Sequence, residues 1–190
     1  MSRTQTSAQP YANRLWTKTP ANAHLRFVAL TLFGTLLLAI SARVQVPFWP
    51  VKMSMQSFVV LALATVYGSR LGAATVLAYL FEGAIGLPVF QSGGGFATFF
   101  GPTAGYLAGF VLATWIVGTL NERGAMQTVP SAFVALLLGD TVIMVLGTAW
   151  LATLIGAERA FFAGFLIFLP AEALKISLAT TLTQITGRAS

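Results

Sequence analysis

The chain has 190 residues, of which 56% are hydrophobic and 8% charged. Soluble domains carry about 25% charged residues, so this composition cannot supply a water-exposed surface of normal polarity. The formal net charge is +6, but the basic residues are scattered singly, which argues against a nucleic-acid partner. There is no cysteine, which removes disulfides, thiolate nucleophiles and thiolate metal sites.

The apolar residues come in long blocks, and a hydrocarbon core about 30 Å thick takes about 20 residues of helix to cross. Residues 133–138 are apolar without alternation, which argues against a β-barrel. Helix satisfies its own backbone in lipid. The first 23 residues are polar and lack an apolar core, so no cleavable signal is expected there. Residues 1–24 read as a cytoplasmic extension, 25–187 as a transmembrane domain and 188–190 as a tail. Six spans are predicted in an all-α fold. The first covers 25–43 and leads into a proline-rich loop, 44–55. The second (56–67) and third (71–87) are separated by the Gly68-Ser69-Arg70 turn. A loop over 88–101 contains Gly93, Gly94 and Gly95. The fourth covers 102–120, the fifth 131–154 and the sixth 170–187. Residues 161–169 are expected to form an outer-surface helix, because Pro170 suits the first turn of a helix better than its middle.

Charge sets the orientation. With the N-terminus inside, the cytoplasmic side receives Arg3, Arg14, Lys18, Arg26, Arg70, Arg123 and Arg188. The outer side receives Arg43, Lys52 and Arg159. This obeys the positive-inside bias and places both termini in the cytoplasm of a multi-pass inner-membrane protein. The proline-rich loop, the glycine-rich loop and the start of the last span then face outward.

Ionisable groups at membrane depth are costly and usually face a cavity or a partner. Here they are Arg43, Glu82, Asp140 and the pair Glu172 and Lys175, which share a helical face three residues apart. That pair is either a self-neutralising device for burying a helix or a polar floor for a ligand. Asp140 has no partner in its own span and must find a cation, a donor or a proton. The glycine run permits close backbone approach to a ligand, or simply a flexible turn. Phe48 and Trp49, between prolines, are interface anchors or an apolar lid. Thr31, Thr35 and Ala39 form a small-residue stripe suited to close contact with a partner helix.

Enzyme classes fail on inventory. His24, the only histidine, lies beside the cytoplasmic end of the first span, and no Ser/His pair is placed for nucleophilic catalysis. Asp140 is the only aspartate, which excludes an aspartyl dyad. The His and carboxylate cluster of a metal site and the GxxxxGK[ST] phosphate loop are both missing. No catalytic residue, metal or cofactor is expected.

Several blocks carry a resemblance. They are Val46-Pro47-Phe48-Trp49-Pro50-Val51 with Met55-Gln56, Gly83-Ala84-Ile85-Gly86-Leu87-Pro88-Val89-Phe90, the glycine run, and Gly101-Pro102-Thr103-Ala104-Gly105-Tyr106-Leu107-Ala108-Gly109-Phe110. Gly147, Trp150-Leu151, Pro170, Leu174 and Lys175 follow. Together they resemble the BioY family, the biotin-specific S components of energy-coupling factor (ECF) transporters, over about residues 25–186. The chain departs from the family pattern at Asp140, where Asn is usual, and at Met144, where Tyr is usual. It departs again at Pro170-Ala171-Glu172, in place of Pro-Gly-Asp, and at Lys52, in place of proline.

The resemblance implies the six-helix S-component fold and capture of biotin from outside. Delivery then follows by reorientation in the bilayer, docked to a transmembrane coupling subunit driven by ATPase subunits. The ureido ring needs donors and acceptors, which Gln56, Asp140 and Glu172 can provide, and Lys175 or Arg43 can hold the carboxylate. Phe48, Trp49, Phe90 and Phe96 can cover the apolar body, and Glu82, Gly93 and Gly94 complete the candidate ligand-binding set. The rival readings are an S component for another small vitamin-like metabolite and a structural membrane protein.

Overall fold

Each long apolar block becomes a helix, and the breaks between them fall at glycine or proline. The computed structural model describes residues 23–46 and 53–188. Helix α1, Ala23–Arg43, turns Leu32, Phe33, Leu36 and Ile40 outward and buries Gly34, Thr35 and Leu38. Arg43 sits in its last turn, where the helix dipole favours a cation. A minimal antiparallel ladder follows, with β1 (Gln45–Val46) pairing to β2 (Met53–Ser54) so that Gln45 stands opposite Ser54.

Helix α2, Gln56–Ala84, is 29 residues long but is broken at Gly68, whose φ of 77° lies where only glycine is comfortable. The chain folds back there. A Cβ placed on Gly72 would lie 3.8 Å from both the Ala64 Cα and the Leu63 carbonyl oxygen, far closer than a straight helix permits. The second and third predicted spans are therefore the two arms of α2, and one residue makes the turn where three were expected. Among the described residues five helical stretches are long and apolar enough to cross a membrane, the last of them Ala157–Ile185, and the difference from six lies in this hairpin.

A 3-10 helix, Phe96–Phe100, precedes α3, Ala104–Glu122. Helix α4, Val129–Ile155, begins on the Thr128 side chain, which accepts from the Ser131 N–H. Gly156, with φ 88°, ends it. The surface helix expected over 161–169 lies earlier and is shorter: α5 covers Ala157–Gly164, followed by a 3-10 turn, Leu166–Phe168. Helix α6, Leu169–Arg188, then carries Pro170 in its first turn.

Close backbone packing joins α3 to α4, because a Cβ on Gly109 would come within 2.8 Å of the Ile143 Cα. Gly147 likewise leaves room for the Tyr106 ring. Helix α6 has two distinct faces. Leu174, Leu178 and Leu182, four residues apart, are exposed, whereas Glu172, Lys175, Ile176 and Ala179 are buried. Charge inside and leucine outside is the pattern of a helix whose solvent is lipid.

Candidate binding cavity

The start of α2, the start of α3, the middle of α4 and the start of α6 surround a cavity of about 590 Å³, counted with its open mouth. One wall is polar: Ser54, Gln56, Ser57, Glu172 and Lys175. The opposite wall is apolar and includes Phe90, Phe110, Ile143, Met144 and Phe168. This mixture suits a small molecule that is largely apolar and carries a few hydrogen-bonding groups.

Glu172 and Lys175 face the cavity because three residues of helix return to nearly the same side. The Lys175 ammonium lies 2.7 Å from Glu172 Oε1, with both side chains buried. It also donates to the Ser54 carbonyl at 2.6 Å and to Ser57 Oγ at 3.1 Å. Ser57 in turn donates to Glu172 Oε2 at 2.9 Å. These bonds fasten the loop strand β2, the first turn of α2 and the first turn of α6 to one another. Between the two open readings of the pair, self-neutralisation is present, and so is a polar surface on a cavity.

A second relay runs along the neighbouring wall. Gln56 Nε2 donates to the Tyr79 hydroxyl at 2.7 Å, and that hydroxyl donates to the Val89 carbonyl at 2.9 Å. Phe90 stands edge-on to Tyr79, with ring centroids 5.3 Å apart. It fits there because Gly83 has no Cβ, which would overlap the Phe90 ring. Asp140 is also buried, 4% exposed, and from α4 it acts electrostatically on both Glu172 and Lys175. The Asp140 carboxyl lies against that of Glu172, and its Oδ1 has no hydrogen-bond partner among the described residues.

The remaining candidates are placed elsewhere. The Arg43 guanidinium donates to the Pro88 carbonyl and is exposed, so it fastens the end of α1 to the following loop and is not on the cavity wall. Glu82 is half-buried outside the cavity lining, where its carbonyl accepts from the Leu87 N–H. Gly93 closes a tight turn by exchanging backbone bonds with Phe90, at 2.8 and 3.1 Å. Gly94 lies against the Leu87 carbonyl, where any Cβ would overlap it. These two glycines shape the loop and do not line the cavity. Phe96 is 66% exposed and packs tilted against Phe99 and edge-on to Phe100 instead of covering the cavity. Phe48 and Trp49 lie outside the described residues. In the α1 stripe, Thr35 is buried within the chain and Thr31 and Ala39 are half-buried. The close contact there is internal, with Gly34 against Thr75 of α2.

Residues 13–189 match the BioY family. The chain belongs to that family. Among BioY relatives, a probable biotin transporter from Pyrococcus horikoshii is 36% identical over 83% of this chain and 90% of its own length. A biotin transporter from Rhizobium etli is 35% identical over 82% and 89%. One from Rickettsia prowazekii, a probable biotin transporter, is 29% identical over 87% and 86%. The crystal structure of the S-component for biotin from an ECF-type ABC transporter superposes with a TM-score of 0.77. It covers 90% of this chain and 95% of that one at 22% identity, so the two share the S-component fold.

Sequence reasoning missed several residues that build the BioY cavity here, chiefly Ser54, Ser57, Tyr79 and Tyr106. One signal was available: Ser57 follows Gln56, and both sit at the first turn of a helix that opens on the candidate loop. Tyr106 lies in a block that carries the resemblance, but its place at the cavity was not readable, since its hydroxyl is fixed by the Gly164 carbonyl, 58 residues away.

Proposed function

We propose that this protein is the biotin-capturing S component of an uptake system in the cytoplasmic membrane. The observation that carries the reading is the buried Glu172–Lys175–Ser57 cluster opposite an apolar wall. Such a cavity offers charge-assisted bonds to polar ligand groups and an aromatic surface to a sulfur-containing ring. The curated relatives named as biotin transporters support the same ligand. The excess of basic residues on one side supports a cytoplasmic location for both termini. Delivery proceeds by reorientation of the loaded protein, docked to a transmembrane coupling subunit and its ATPase subunits. The reaction is binding and release, with no covalent change.

Isothermal titration of the purified protein with biotin tests this reading. Saturable binding at micromolar or lower concentration is the expected result, and no heat of binding at micromolar biotin would sink it. Mass spectrometry of ligand recovered from the protein should return unmodified biotin. A second reading, another small vitamin-like metabolite, is favoured by Asp140 standing beside Glu172, two carboxyl groups for one ammonium. Recovery of a different compound would select it.

A further inference from the structure

The three N–H donors of an ammonium are all its hydrogen-bonding capacity. Lys175 commits all three inside the chain, to the Ser54 carbonyl, Ser57 Oγ and Glu172 Oε1. Glu172 accepts from Lys175 at Oε1 and from Ser57 at Oε2, and each oxygen keeps a lone pair for a further donor. A ligand that takes the place of the Lys175 N–H at Glu172 Oε1 or at Ser57 Oγ therefore leaves that N–H without an acceptor. A buried ammonium that loses its carboxylate and gains nothing is strongly destabilised. One acceptor stands ready beside it. Asp140 is 4% exposed, acts on Lys175 from the facing helix and has an Oδ1 without a partner.

We propose that Asp140 is the alternate partner of Lys175: when a ligand engages Glu172 and Ser57, the ammonium turns one N–H from that pair to Asp140 Oδ1. The proposal rests on the cavity being the ligand site, but the hand-off is a property of three side chains and is measurable without ligand. Asp140 acts through Lys175, and so it is a positioning residue. Its carboxyl lies against that of Glu172, and the burial of Oδ1, to which nothing among the described residues hydrogen-bonds, is otherwise a cost with no return in the fold. The two-carboxyl, one-lysine arrangement keeps the lysine paired in both states. The polar wall can then exchange partners with a ligand without stranding a charge.

The test is a thermal-stability cycle on the full chain in detergent, without ligand. Asp140→Ala should leave the melting temperature of the otherwise unchanged protein the same or higher. In a Glu172→Ala background, where Lys175 depends on Asp140, the same replacement should lower it clearly. An equal effect of Asp140→Ala in both backgrounds overturns the hand-off. Should Glu172→Ala fail to fold, Glu172→Gln supplies the background, because it keeps the shape and removes the charge.

Biotin titration adds a second arm. Asp140→Ala should weaken binding about tenfold or more, and Asp140→Asn, which keeps an acceptor oxygen, should weaken it less. Binding by Asp140→Ala equal to that of the unchanged protein would also overturn the proposal. Failure of the unchanged protein to bind biotin would instead remove the biotin reading, and the stability cycle would then judge the hand-off alone.

Discussion

Two polar clusters sit at opposite ends of the bundle, and the one at the start of α6 lines the cavity. At the far end, Glu122 Oε1 accepts from both the N–H and the hydroxyl of Ser69, each at 2.8 Å. Asn121 donates to the Thr65 carbonyl at 2.6 Å, and Gln184 donates to the Met126 carbonyl at 3.1 Å. All but the Ser69 hydroxyl bond satisfy a backbone group beside a break or turn, and none of these side chains lines the cavity. At the cavity end, Glu172, Lys175 and Ser57 bond mainly to one another, and an acceptor on Asp140 is left over. Polar groups that mend the backbone are structural. Polar groups that line a cavity, with an unused acceptor buried behind them, are available for recognition.

The sharpest way to break this contrast is at Lys175. Lys175→Ala should abolish measurable biotin binding by titration. It should also lower stability by about 3 kcal/mol or more, because Glu172 is left buried and unpaired. Gly83→Ala should come next: its new Cβ displaces the Phe90 ring from the cavity wall, costing about 1–3 kcal/mol in a thermal melt and weakening biotin binding with it. At the far end, Glu122→Ala should cost about 1 kcal/mol, as for loss of a helix cap, while biotin affinity stays within about twofold. A large loss of affinity there would erase the distinction between the two clusters. Phe96→Ala should have the smallest effect, within about 0.5 kcal/mol and without change in affinity, since the ring lies on the outside.

What was legible in the sequence follows the same division. Spans could be read because bilayer thickness fixes helix length, and the Gly68 break because glycine tolerates the turn. Glu172 and Lys175 could be placed on one face by helical period alone. Their bonds to Ser54 and Ser57 could not, because they join segments 121 and 118 residues apart. Side-chain direction in the loop was equally hidden. Phe90 and Phe96 are both loop aromatics, yet one is buried against Gly83 and Tyr79 and the other faces out. Arg43 looked like an anion holder by charge. Its position beside Pro88 is set by how the loop closes, which no local pattern encodes.

The hairpin at Gly68 has a consequence for the surrounding bilayer. Its first arm, from Gln56 to the break, is about 18 Å long at 1.5 Å per residue, well short of an ordinary hydrocarbon thickness of about 30 Å. On that side lipid must thin, or the protein must tilt, and either response carries a modest elastic cost. The Ser69 N–H, just past the break, has lost the helical acceptor of a continuous helix, which gives the Glu122 carboxylate a reason to reach it. Membrane thickness thereby becomes a variable to which this protein is mechanically coupled, through an arm too short to ignore it.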